Sequence, residues 1–251
     1  MPTAQYGQNR FYAAVAFLLS LVMAMCMLLP VALLTKSVVV EKEQRLKQTM
    51  RIMGLRDPVL YGSWWLSAIV EFFCITVLCT IMLKLFLVKS SVFAVFVYVA
   101  VFSLGAIAFA FLLSVFFSSG VLSAVVGPVA FFAALLPRYL FFGANRYERT
   151  QAKIAASLLL PTAFAFGADI LGDFELNEVG VTMDNWGQDE YSFLTSIGMM
   201  LFDTVLYSVL GLYLERVLPS RYGAPEHPLF FLHRSWWSSS SPLSKVRPDY
   251  N

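Results

Sequence analysis

Residues 90–137 read SSVFAVFVYVAVFSLGAIAFAFLLSVFFSSGVLSAVVGPVAFFAALLP, and not one of them is charged. As one helix the stretch would reach roughly 72 Å at 1.5 Å per residue, more than twice the ~30 Å hydrocarbon core of a bilayer. It must therefore turn inside. Ser118-Ser119-Gly120 is the only turn chemistry within it, which predicts two spans, 91–117 and 121–142.

The rest of the chain has the same character. Of its 251 residues 59% are hydrophobic, 16% aromatic and only 14% charged, with a mean hydropathy of +0.70. A soluble domain carries about 25% charged residues, and none of this size has interior enough for 23 Phe, 11 Tyr, 5 Trp and 10 Met. Disorder and small disulfide scaffolds fall on the same arithmetic. The composition predicts an all-α polytopic membrane protein, integral and multi-pass. A net charge of +2 offers no basic field, so nucleic acid is excluded as a partner. Cys26, Cys74 and Cys79 lie inside apolar runs and form no spacing pattern for a disulfide framework or a zinc site.

Three further spans are expected at 12–34, 59–86 and 196–214, the second interrupted by Glu71 and Lys84 and the last carrying Asp203. The segment 154–171 is ambiguous, because Pro161 divides it and Gly167 and Asp169 weaken its end. Lys and Arg favour the cytoplasmic side of short loops, and this rule arbitrates. The loop 36–58 holds six basic residues. If residues 154–171 cross, only those six of the 18 lie inside; if the segment re-enters, the tail joins them and the count is eleven. The stretch 169–190, with seven carboxylates and no Lys or Arg, then faces outside. The expected architecture is five spans plus a re-entrant external helical hairpin, with the N-terminus outside and the C-terminus inside.

The loop between the first two spans reads as an amphipathic helix over 37–55. Val39, Leu46, Met50 and Met53 fall at spacings of seven, four and three, on one helical face. Glu41 with Arg45, and Glu43 with Lys47, are i,i+4 pairs in the favourable order, worth roughly 0.2–0.5 kcal/mol each. Gly54 and Pro58 are stop signals. Two readings stand at this point: an interfacial helix resting on headgroups, or a lever that another domain pushes.

EKEQRLKQTMRIMGL, Glu41–Leu55, closely resembles the segment E-K-E-x-R-L-K-E-x-M-x-x-M-G-L of subfamily A of the ATP-binding-cassette transporters. The resemblance runs from about Phe11 to Trp237. Trp64-Trp65 stands at that family's Trp-rich start of the next span, and SLLLPTAFAFG, Ser157–Gly167, resembles its S-L-L-S-P-x-A-F-x-x-G, which includes Pro161, Phe164 and Gly167. GVTMDN, Gly180–Asn185, resembles G-V-x-W-x-N; DTVLY, Asp203–Tyr207, resembles D-x-x-L-Y; VLPSRYGAP, Val217–Pro225, resembles V-x-P-G-x-Y-G-x-P. Glu178, Met183 and Ser220 depart from the pattern. The resemblance implies a transmembrane half-domain of exporter type over 11–218, after an N-terminal stub, 1–10, and before a cytoplasmic tail, 219–251, that leads toward a nucleotide-binding domain. It also implies that 37–55 is a coupling helix, that the hairpin precedes the last span, and that the cargo is lipid. Partners would be membrane lipids, the nucleotide-binding domain and a second transmembrane half.

No P-loop is present, since none of the seven lysines follows a glycine. ATP and Mg would bind on a nucleotide-binding domain outside this chain, and no cofactor is expected on it. The expectation is a fragment of such a transporter; the alternative is an orphan membrane scaffold. Membrane-embedded catalysis lacks its parts: the only histidines, His227 and His233, lie in the Pro-rich tail, and no H-E-x-x-H occurs. Glu71 and Asp203 are single carboxylates in separate spans. A charge inside a bilayer costs at least ~2.5 kcal/mol, which makes each a candidate polar site. The bland alternative keeps them neutral, or hydrogen-bonded to neighbours near headgroup level.

Overall fold

The computed structural model describes residues 10–44, 46–54, 57–141, 150–177, 179–182, 185–187 and 191–218. The expected stub (save Arg10), the tail 219–251 and Arg45 lie outside the described residues. Among the described residues all regular structure is helical: α1 (Arg10–Glu43), α2 (Leu46–Ile52), α3 (Asp57–Phe86), α4 (Val92–Phe116), α5 (Gly120–Ala133), a 3-10 turn (Leu136–Phe141), α6 (Thr150–Ala156), α7 (Leu160–Leu176) and α8 (Phe193–Val217). Among the described residues five stretches are long and apolar enough to cross a membrane: Leu21–Glu43, Val59–Phe86, Val92–Phe116, Gly120–Phe141 and Phe193–Val217. The uncharged run 90–137 does break at Phe117–Ser119, as its length demands.

α4 is the central post. It packs against α1, α3 and α8 and is 67% buried, against 28% for α3 and for α8. Its buried face carries Ala94, Gly105, Ala106, Ala108 and Ala110, and small residues let apolar helices approach closely without a hydrophobic driving force between them. Polar side chains add to the packing: the Thr76 and Ser103 hydroxyls share a 2.8 Å hydrogen bond between α3 and α4. α1 lies along α5. There Gly127 faces Thr35 at ordinary van der Waals distance, and a side chain on Gly120 would collide with Val40.

α6 and α7 form a helix–turn–helix whose tip reaches deep along α8. The Tyr207 hydroxyl donates to the Leu158 carbonyl at 2.8 Å and accepts from the Leu160 amide at 3.3 Å. Tyr207 itself lies fourteen residues, about 21 Å, past the start of α8, and the tip meets its hydroxyl inside the span. Irregular backbone at such depth must find protein partners. Besides Tyr207, the Thr162 hydroxyl reaches the Ala134 carbonyl (2.7 Å), and the Ser157 and Tyr191 hydroxyls pair at 2.7 Å.

The helix ends sort into two groups. The α3–α4 turn, the C-terminal end of α7 and residues 180–181 meet at one end. The end of α1, the start of α3, the α4–α5 turn and the end of α8 meet at the other. These are called the outer and inner ends below, following the charge distribution of the loops.

Candidate functional site

The structure divides the expected amphipathic helix 37–55. Its first part, through Glu43, continues α1, and only Leu46–Ile52 forms a separate short helix, α2. The reason lies elsewhere in the chain. Lys42 and Glu43 find partners at the α4–α5 turn: Lys42 Nζ donates to the Ser114 carbonyl (3.1 Å) and hydroxyl (3.3 Å), and Glu43 Oε2 accepts from the Gly120 amide at 3.2 Å. Gly120 opens α5, whose first N–H groups lack intrahelical acceptors and carry the positive end of the helix dipole. A carboxylate there is doubly favoured, and α1 is drawn on to reach it.

The apolar stripe is split accordingly. Val39 is fully buried within α1, Met50 is half-buried, and Leu46 and Met53 are 39% and 73% exposed. Ile52 is 87% exposed beside them. Glu41 is half-buried; Gly54, at φ +93°, turns the chain away after α2 in a conformation that favours glycine. Glu43 is held by Gly120, so it serves the α1–α5 junction. Across the same inner end, the Tyr61 hydroxyl on α3 donates to Glu215 Oε2 on α8 at 2.8 Å.

Around the hairpin, the sequence motifs converge. Phe164 stacks on Tyr98 (centroids 4.8 Å apart) and on Phe102 (4.0 Å), while the Tyr98 hydroxyl donates to the Phe164 carbonyl. Gly167 is required: an added Cβ would stand 2.5 Å from the Ser196 hydroxyl and 2.6 Å from that of Tyr98. Pro161 sits in the first turn of α7, where its missing N–H costs nothing. Gly180, at φ +67°, lies against the Lys89 carbonyl, and Asn185 ties the loop by donating to the Gly180 carbonyl (2.8 Å) and accepting from the Thr182 amide (2.9 Å).

The two intramembrane carboxylates do not come together. Asp203 is fully buried on α8, and neither of its oxygens meets a hydrogen-bond donor among the described residues. Ten residues into α8, it lies about 15 Å along the helix, well inside the span and away from headgroup level. Glu71 is exposed near the middle of α3.

Several polar residues that the sequence did not single out hold the bundle. Glu175 accepts from the Lys89 amide (2.6 Å), the Ser90 amide (3.2 Å) and the Ser90 hydroxyl (2.9 Å), closing α7 onto the α3–α4 turn. Arg138 forms a two-pronged ion pair with Asp169, with Nη2 to Oδ1 at 2.6 Å. Both are isolated charges bordering apolar segments. That signal flags them, but no local pattern pairs residues 31 positions apart.

A family model described as "ABC-2 family transporter protein" matches residues 2–213. The chain is 34% identical, over 94% of its length, to the retinal-specific phospholipid-transporting ATPase ABCA4 of Bos taurus. It is 35% identical over 99% of its length to the phospholipid-transporting ATPase ABCA7 of Homo sapiens, and 31% over 95% to ATP-binding cassette sub-family A member 2 of Rattus norvegicus. It spans 11%, 12% and 10% of these relatives respectively, about a tenth of their length.

Proposed function

Because the chain belongs to the ABC-2 family of transporter proteins, we propose that it supplies the membrane-spanning part of an ATP-driven transporter that moves lipid. The observation that carries this reading is the family match running through all five apolar helices, together with relatives named as phospholipid-transporting ATPases. The sequence has no P-loop, so ATP and Mg bind on a nucleotide-binding domain outside it, and a second transmembrane half completes the path. Lipid enters sideways from a leaflet, and rigid-body movement of the helices carries it across.

The inner junction supports a coupling role. α2 presents Ile52 and Met53 to the outside of the bundle, while Lys42 and Glu43 link the end of α1 to the α4–α5 turn. A push on α2 is thereby passed to α1, α4 and α5 together. The α6–α7 hairpin re-enters from the outer side: its tip is level with Tyr207, and its exit is level with the α3–α4 turn.

The test is ATP-dependent movement of a headgroup-labelled phospholipid by the intact protein in proteoliposomes. Movement that needs hydrolysable ATP supports the reading; binding of a partner with no lipid movement in either direction would make the chain a scaffold. Topology is checked with an impermeant maleimide. Asn177→Cys should label from outside and Met53→Cys only after permeabilisation, and equal labelling of both sinks the five-span arrangement.

A further inference from the structure

Asp203 is the most anomalous group in the bundle. It is fully buried on α8, and neither of its carboxyl oxygens meets a donor among the described residues. α4, which packs against α8, has no charged residue to offer it. An unmet buried polar group is costly, so its presence calls for a reason. One turn further along α8, on the same face, stands Tyr207. Helical side chains lean toward the N-terminus of their helix, so the Tyr207 ring lies over the turn that carries Asp203. Phe109 holds that ring edge to face, with centroids 5.6 Å apart.

The Tyr207 hydroxyl has one proton to give. It donates to the Leu158 carbonyl in the α6–α7 turn at 2.8 Å, while accepting from the Leu160 amide at 3.3 Å. The two bonds hold different things. Leu160 opens α7, whose residues from Leu160 to Ala168 are all buried. Leu159 at its N-cap has no side-chain oxygen, so the tyrosine oxygen serves one of the unpaired first amides. Leu158 belongs to the arm before it: it is 44% exposed, and Gln151, Ala152, Ile154 and Ala155 of α6 are exposed as well. α7 is built into the bundle, whereas α6 and its turn lie on the bundle's surface.

We infer that Leu158 and Asp203 compete for the single proton of the Tyr207 hydroxyl, which makes α6 and the turn after it a releasable strap on α8. With the strap down, the proton goes to Leu158 and Asp203 is unanswered. With the strap lifted, the ring stays against Phe109 and the oxygen keeps the Leu160 amide. The O–H then turns to Asp203, whose carboxyl group accepts in either protonation state. Lifting therefore exchanges one hydrogen bond for another, and the two positions lie close in energy. The Ser157–Tyr191 hydroxyl pair parts in the same movement, although Ser157 keeps its 2.7 Å bond to the Lys153 carbonyl within the arm. That parting is what keeps the strap down at rest. A modest input shifts such a two-position element from one state to the other. The strap belongs to this bundle alone and does not depend on what the transporter carries.

Spin labels are attached through encoded azido amino acids at Ala155 on α6 and Phe93 at the outer end of α4, both exposed, in the intact protein in nanodiscs. Pulsed dipolar distances are recorded at rest and during ATP turnover, and should show a resting population and a displaced one. Asp203→Leu removes the second acceptor with little change of shape, and should lower the ratio of displaced to resting protein about tenfold. Asp203→Asn keeps an acceptor oxygen, and should leave the ratio within twofold of wild type. In a Tyr207→Phe background there is no proton to contest, so Asp203→Leu should then change the ratio less than twofold. Should Asp203→Leu fail to fold, Asp203→Ala takes its place in both backgrounds. A single distance in wild type under both conditions overturns the strap. An effect of Asp203→Leu that persists in the Tyr207→Phe background overturns the competition, and so does an Asp203→Asn variant that matches Asp203→Leu.

Discussion

At the outer end, Glu175 takes hydrogen bonds from two amides and a hydroxyl, Asn185 ties its own loop, and Arg138 and Asp169 are paired. At the inner end, Ile52 and Met53 stand 87% and 73% exposed on a short helix, while Lys42 and Glu43 reach the α4–α5 turn at 3.1–3.3 Å and Tyr61 holds Glu215 at 2.8 Å. Among the described residues the outer end is tied to itself by its own contacts, and the hairpin is held by Tyr207 and Ser196. The inner end leaves apolar area uncovered. Such a division suits a machine whose outer half is a rigid frame and whose inner half is moved by something attached to it.

The largest break in that contrast should come from Glu175→Ala. It leaves the buried Ser90 amide and hydroxyl without their acceptor, and hydrogen bonds to charged groups are worth about 1.5–3 kcal/mol, so a stability loss of about 3 kcal/mol is expected. Thermal unfolding of the purified protein in detergent measures it. A loss under about 1 kcal/mol would mean that the outer end is no tighter than the inner one.

Next in size is Gly167→Val. The new side chain meets the Ser196 and Tyr98 hydroxyls, both of which are committed to α7 carbonyls. Overpacking of this kind costs about 1–3 kcal/mol. The readout that sharpens the comparison is protease sensitivity between α6 and α7, which should rise while cleavage near α2 stays as it was.

At the inner end, Glu43→Ala removes one acceptor from the Gly120 amide and one charge from the start of α5. The contact is part-buried and water can reach its surroundings, so about 1 kcal/mol is expected. The same unfolding measurement checks it. Its effect on coupling should exceed its effect on stability, because it loosens the link between α1 and α5.

Much of this was legible in the sequence, and the pattern of success has a physical origin. Bilayer thickness sets helix length, so uncharged runs read directly as spans, and the run 90–137 had to break at its one turn signal. The family motifs gave Pro161, Phe164, Gly167, Gly180 and Asn185, and the structure gathers these around the hairpin and its loop. The division at Gln44 could not be read, because α1 is extended by Ser114 and Gly120, 72 and 77 residues away from their partners in α1. Helical periodicity carries across such a break without a mark. Asp203 was visible as an intramembrane carboxylate, but its complete burial depends on how α7 and α4 pack on α8, which no single helix records.

The smallest change in stability is expected from Met53→Ser combined with Ile52→Ser, and it tests the comparison most directly. Both side chains are exposed, so their replacement should alter unfolding by less than about 0.5 kcal/mol. If α2 only rests on headgroups, lipid movement and ATP turnover should both remain near wild type, since one apolar turn contributes little to a five-span anchor. If α2 is the surface on which a nucleotide-binding domain sits, the two lost apolar contacts lie at that interface, and lipid movement per ATP should fall severalfold in the intact transporter. Glu43 is the wrong residue for this test, because its loss disturbs the α1–α5 junction as well as any docking. Ile52 and Met53 separate the two effects: stability reads the bundle, and coupling reads the surface that the bundle leaves open.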